Sequence, residues 1–160
     1  MDGITFKISG TLRGPLDEMK EKIPQAEKRA LYRAAYFLRD KIRQSLTTNI
    51  SKATQKNPKY NDTLVDAVGF TPVDGASLTV NAMGTRKTGS GTYRTRFFEE
   101  GTRDRYQKTH NGVKLKKKKY IGKIQPTHFF KSAVEANKSA AVKLMEDVIS
   151  EYVQKIYDQT

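Results

Sequence analysis

The chain has 160 residues, a formal net charge of +13, 36% hydrophobic residues and a mean hydropathy of −0.71. That length suits a single domain over residues 1–160, and the low apolar share suits a small body with exposed arms or a core completed against neighbouring subunits. No cysteine is present, which excludes disulfides, thiolate zinc sites and cysteine nucleophiles.

The opening stretch MDGITFKISG lacks the charged-then-apolar layout of a signal peptide, so synthesis in the cytoplasm is expected. Within it Ile4, Phe6 and Ile8 alternate with polar residues and predict a short strand ending at Gly10. Residues 16–23, LDEMKEKI, predict a helical turn or two after Gly14-Pro15. Pro24 then suits an early position of a longer helix, in which Leu31, Ala34, Ala35, Leu38, Ile42 and Leu46 recur at steps of three and four. Arg29, Arg33, Arg39, Lys41 and Arg43 fall mostly off that stripe, and Tyr32 and Tyr36 flank it where a partner subunit could sit. Thr47-Thr48-Asn49 ends the pattern, and a polar loop is expected up to about Asn61.

Asp62 or Thr63 is placed to cap a short element, TLVDAV. Phe70 to Val73 and Leu78 to Asn81 predict two strands joined at Asp74-Gly75. The glycine-rich GTRKTGSGTYR that follows reads as a flexible loop or hairpin tip. It imitates a phosphate-binding loop, but Ser90 stands where that motif needs lysine. Farther on, Pro126-Thr127 opens a long helix, with Thr127 as its cap and Phe130, Val134, Ala141, Leu144, Met145, Val148, Tyr152 and Ile156 as its stripe. The predicted fold class is α+β: a small antiparallel sheet packed with an N-terminal amphipathic helix and a long C-terminal helix. No apolar run approaches the roughly 18 residues that span a bilayer, so no membrane partner is expected.

Two stretches invite chemistry. In RTRFFEEGTR, Glu99 and Glu100 are adjacent, so they point to opposite faces of a strand or diverge by roughly 100° on a helix. Paired-carboxylate catalysis needs both groups in one cleft. The pair therefore reads as structural, with one phenylalanine in the core, the other at its edge, and a glutamate meeting Arg94 or Arg96. His110 and His128 lie far apart without spaced carboxylates, and no nucleophile elbow occurs, so no catalytic, metal or cofactor residue is assigned and no enzyme is expected.

The second stretch is electrostatic. Arg103 to Lys123 holds nine basic residues and one Asp, a charge of +8, while the other 139 residues carry 21 basic and 16 acidic groups, +5. Within it VKLKKKKYI predicts a loop or hairpin over about 103–123. As a hairpin, Lys114, Lys116 and Lys118 would share a face with Tyr120, opposite Val113, Leu115 and Ile121. The candidate contacting residues are Arg103, Arg105, Lys114, Lys116, Lys117, Lys118, Lys119 and Tyr120. Three readings stay open: a solvated edge, a dock for an acidic protein, and non-specific contact with DNA. The density of like charge predicts that this segment is disordered in the free chain and orders on assembly.

The order of parts resembles a known family, the small neck or tail-completion proteins at the head–tail junction of long-tailed bacteriophages, among the minor tail components. The family pattern runs from an amphipathic helix (Ala26 to Leu46) through a short apolar segment (Asp62 to Val68) and a strand pair (Phe70 to Asn81). An aromatic-Glu-x-Gly-Thr element comes next, matched by Phe98-Glu99-Glu100-Gly101-Thr102. A Gln-Pro-aromatic launch of the last helix is matched by Gln125-Pro126 with Phe129 and Phe130. In the family the aromatic often follows the proline directly, whereas Thr127-His128 intervenes in this chain.

The resemblance implies a non-enzymatic virion protein at the head–tail junction or tail, made in the cytoplasm of a bacterial host. It would act without a cofactor as a cyclic homo-oligomer bound to connector, neck or tail-tube proteins, with possible non-specific contact with genomic DNA. It also implies that Phe98, Glu99, Gly101, Thr102, Gln125, Pro126, Phe129 and Phe130 are scaffold residues. The rival expectation is a small basic protein that binds nucleic acid without sequence preference.

Overall fold

The computed structural model describes residues 5–9, 23–55, 63–72, 74–75, 77–82 and 91–157. In chain order the elements are β1 (Thr5–Ser9), α1 (Ile23–Asn49), α2 (Lys52–Gln55), β2 (Gly69–Phe70), β3 (Ser77–Asn81), α3 (Gly91–Glu100), β4 (Tyr106–His110), β5 (Val113–Tyr120) and α4 (Phe129–Tyr157). The architecture is α+β, with the expected N-terminal and long C-terminal helices. Residues 16–22 of the helical turns expected over 16–23, and the loop at 83–90, lie outside the described residues.

Helix α1 forms because its apolar residues repeat at helical spacing and its proline sits in the first turn, where a missing N–H is harmless. Its predicted stripe is the centre of the core: Ala34, Ala35, Leu38, Ile42 and Leu46 have no exposed surface. Helix α4 packs along α1, contributing Phe129, Phe130, Ala133, Val134 and Ala141 to the same cluster. Alanines on both helices leave room for close approach, since interaxial distance follows the side chains at the contact. Each large apolar side chain so buried stabilises the fold by roughly 1.5–3 kcal/mol.

Helix α1 ends with its own polar residues. Thr47 and Thr48 donate to the Gln44 carbonyl at 2.8 and 3.0 Å, and the Asn49 amide donates to that of Ser45 at 2.8 Å. The predicted polar loop begins instead with the single turn α2, whose buried Gln55 donates to the Ile50 carbonyl at 2.5 Å. At the next segment Asp66 accepts from both the amide and the hydroxyl of Thr63, at 2.9 and 2.8 Å. That one-sided cap folds 63–68 so that Leu64, Ala67 and Val68 are buried, and Arg43 of α1 holds it by two bonds to the Val68 carbonyl, at 3.2 and 2.9 Å.

Among the described residues β1, β3 and β2 form an antiparallel sheet in that order, with β3 central. The expected turn is present: Asp74 bridges Ser77, and Gly75 takes φ +57°. Leu78 and Val80 face α1 and are buried, and the intervening Thr79 is half-buried. On the rim, Tyr36 meets Phe70 edge-to-face at 4.9 Å, with the Arg39 guanidinium 4.7 Å above the Tyr36 ring.

The end of the glycine-rich stretch departs from expectation. Residues 91–94, expected in a loop or hairpin tip, are the first turn of α3, and the FFEE segment is helical rather than extended. Thr95 anchors the helix inward by donating to the Ala82 carbonyl at 2.6 Å, and Arg94 donates to the Thr54 carbonyl at 2.6 Å. Tertiary bonds thus hold as helix a segment whose glycines and threonines favour other conformations.

Replacing Leu38 by alanine should lower the free energy of unfolding by about 2–5 kcal/mol in urea titrations. Val142→Ala on the open face of α4, at a position 48% exposed, should change it by less than about 0.5 kcal/mol.

Candidate interaction sites: a locked junction and a basic hairpin

The C-terminus of α3 and the N-terminus of α4 are built against each other. A helix leaves its last carbonyls and first amides without intrahelical partners, and here one set satisfies the other. The Phe98 carbonyl accepts from the amide and hydroxyl of Thr127 at 2.7 and 2.8 Å, and the Glu99 carbonyl accepts from the His128 amide at 3.3 Å. The Glu99 side chain completes the exchange. Only 5% exposed, it accepts from the Phe130 amide at 2.8 Å on one carboxylate oxygen and from the Lys131 amide at 3.0 Å on the other. It caps α4 from 31 residues away, at the end where the helix dipole favours negative charge.

Thr127, expected to cap α4 itself, instead bonds back to α3. The residue entering α4 is His128, at φ 49°, whose carbonyl accepts the Ser132 amide at 2.9 Å while its ring stays exposed. Thr127 and His128 therefore supply three of the donors that close the junction.

Gly101 is required at the turn between the two helices. Its φ is +76°, and an added Cβ would lie 2.9 Å from Pro126 Cδ and 3.0 Å from the Ile124 carbonyl oxygen. Thr102 staples the same loop, donating its amide to the Ile124 carbonyl at 3.0 Å and accepting the Ile124 amide on its hydroxyl at 2.9 Å. Of the scaffold residues read from the sequence, Phe98, Glu99, Gly101, Thr102, Pro126, Phe129 and Phe130 converge here, while the Gln125 side chain points to solvent. Glu100 turns outward into an ion pair with Arg96 at 2.8 Å. As expected of neighbours, the two glutamates diverge. Phe98 is half-buried against the core, while Phe97 is 39% exposed.

The basic segment is a hairpin. Asn111 and Gly112, at φ 49° and 80°, form a two-residue turn with both residues left-handed, the geometry that matches strand twist. This Asn-Gly pair is the local sequence signal for the hairpin. No residue from Tyr106 to Tyr120 is buried, and only Gln107 and Leu115 are half-buried. At its base Arg105 and Ile121 pair backbone to backbone, and Tyr106 and Tyr120 stand opposite with ring centroids 5.4 Å apart. Tyr120 donates to Asp104 at 3.3 Å. Partial desolvation, then the charge and hydrogen bond of Asp104, raise the phenol pKa above its ordinary value.

The register corrects one expectation about the lysines. Gln107 pairs with Lys119 and Thr109 with Lys114, so a single residue, Lys108, stands opposite four, Leu115 to Lys118. Three extra residues are an odd number, and parity reverses across such a bulge. Lys114, opposite Thr109, therefore lies on the other face from Tyr120, opposite Tyr106, and the shared face expected from simple alternation is broken. Arg103 and Arg105 sit at the hairpin base, away from the bulge. Among the described residues no carboxylate lies within 4.0 Å of any hairpin lysine.

Among the described residues no three His, Asp or Glu side chains gather as a metal site, and no helix is long and apolar enough to cross a membrane. Compared with known proteins, the chain matches no family model, no curated protein and no solved structure.

Glu99→Ala should lower stability by about 1–3 kcal/mol, because two amides at the start of α4 lose their acceptor. Glu100→Ala should cost less than about 0.5 kcal/mol, as solvent-exposed ion pairs do. Gly101→Ala should cost about 2–4 kcal/mol from the left-handed backbone and the clash with Pro126. Chemical denaturation of the three variants checks the order; equal losses at positions 99 and 100 would contradict the cap.

Proposed function

We propose that this chain is a structural component of a phage head–tail junction, a neck or tail-completion protein, that works by assembling into a ring and binding its neighbours. The observation that carries the reading is the convergence of the Glu-x-Gly-Thr element with the segment from Pro126 to Phe130, more than twenty residues apart in sequence, into one interlocked turn. A ring subunit has to present its faces at a fixed angle, and this junction fixes where α4 begins relative to α3.

Two surfaces suit subunit contact. One is the rim where Tyr36, Arg39 and Phe70 stack, the residue types that dominate interface energetics. The other is the far half of α4, where Leu144, Met145 and Tyr152 are half-buried and leave apolar surface for a neighbour. No catalytic step is assigned. Binding alone performs the function, with α1 and α4 as the rigid body and the hairpin as its reach.

Light scattering should give the purified chain a mass that is a multiple of 18.1 kDa at micromolar concentration. Antibody labelling of particles assembled with the chain present should decorate the neck or one tail end. Monomeric behaviour at every concentration together with absence from such particles would overturn the reading.

A further inference from the structure

We propose that the bulge of the hairpin and its two ends are a site for the phosphate backbone of duplex nucleic acid, formed by Lys116, Lys117 and Lys118 in the bulge, Lys114 and Lys119 flanking it, and Lys108 opposite. The inference stands on the hairpin itself and does not rest on the neck reading.

The first ground is charge. Six ammonium groups crowd one two-stranded arm, and among the described residues no carboxylate offsets them. Asp104, the acid of the segment, is engaged by Tyr120 at the hairpin base. Uncompensated repulsion weakens a hairpin that is already marginal in isolation, so a polyanion that relieves it binds and stabilises at once.

The second ground is register. An unbroken strand would send Lys116 and Lys117 to opposite faces, as it would Lys117 and Lys118. In the bulge these residues stand unpaired opposite Lys108 alone, free of the ladder that would enforce alternation. Three consecutive lysines are thus released to follow a line of charge rather than split between two sides.

The third ground is what surrounds the lysines. Interface cores between proteins are depleted in lysine and centred on aromatic or apolar anchors. This arm has no buried apolar residue, and Val113 at its tip is 70% exposed. Its two tyrosines pack on each other, bracing the base rather than presenting a row of platforms for unstacked bases. Lysine binds phosphate as a point charge without reading base edges. The fit is to a duplex backbone, without sequence preference.

The test is fluorescence anisotropy of a labelled 30-base-pair duplex against the full chain across a salt series. The logarithm of affinity should fall with the logarithm of salt at a slope of about −4 to −5, near −0.9 per phosphate neutralised. Alanine at Lys116, Lys117, Lys118 and Lys119 should make the slope shallower by about 3 to 4 and weaken binding at 100 mM salt by about 100-fold or more. Arginine at the same four positions should retain both, and the milder pair K117Q/K118Q should shift the slope by about 2. Circular dichroism should show an unchanged melting temperature, because none of the four side chains is buried. No duplex binding at 50 mM salt, or a slope untouched by the alanine variant, would overturn the proposal. So would poly-glutamate binding as tightly as the duplex, which would assign the arm to an acidic protein.

Discussion

The structure depends on one carboxylate. Glu99 is nearly removed from water, an expensive place for a charge unless donors replace the lost solvent. The first turn of α4 offers such donors, because its leading amides have no carbonyl of their own to meet. Each of the two carboxylate oxygens takes one amide, and the helix dipole adds to the attraction. Phe129 and Phe130, the first residues of α4, are thereby set at the position from which they enter the core beside α1. Without the cap, the amides and the acid would each be buried without a partner, and the cost would fall on the end of α4 that carries the largest side chain of the core.

The remaining parts follow from where that junction sits. Residues 101–128 leave α3 and return to α4 with both ends held at one point, by Thr102 against Ile124 and by Thr127 against Phe98. A loop closed so tightly leaves its middle free to project, and the hairpin does so. The body and the arm are stabilised by different means. The body relies on apolar burial between α1, α4 and β3, whereas the arm has its turn, its tyrosine pair and backbone bonds, working against its own charge. Local stability is uneven in such a molecule, and segments that bind are drawn from the weaker end.

What was legible in the sequence tracks how local the physics is. The stripe of α1 from Leu31 to Leu46 is periodic and uninterrupted, and it became the core without correction. The turn at Asp74-Gly75 and the strand after it were legible because turn chemistry is written in adjacent residues, whereas the strand expected over Phe70 to Val73 is reduced to Gly69–Phe70. The cap on α4 was not, since Thr127 is the local candidate and nothing near it reveals an acceptor arriving from position 99. Helix α3 was obscured by Gly91 and by threonines that disfavour helix, and bonds to Ala82 and Thr54 decide it. The bulge in β5 was illegible because five lysines within six positions carry no alternation to mark where the count slips. Asn111-Gly112, by contrast, is a written signal for the hairpin turn.

The adjacent glutamates show how one helical step divides chemistry. A residue step of roughly 100° sends Glu99 inward and Glu100 outward, and each then meets what its side of the helix offers. Inward lies the start of α4, which engages both oxygens of Glu99. Outward lies Arg96, one turn back, which engages Glu100. Neither carboxylate is left to act jointly on a third molecule, so the acidic pair is spent on holding the fold. The cations of the hairpin are in the opposite state, exposed and, among the described residues, without a carboxylate beside them. The arm therefore offers a partner a dense run of charge that the fold has not used internally.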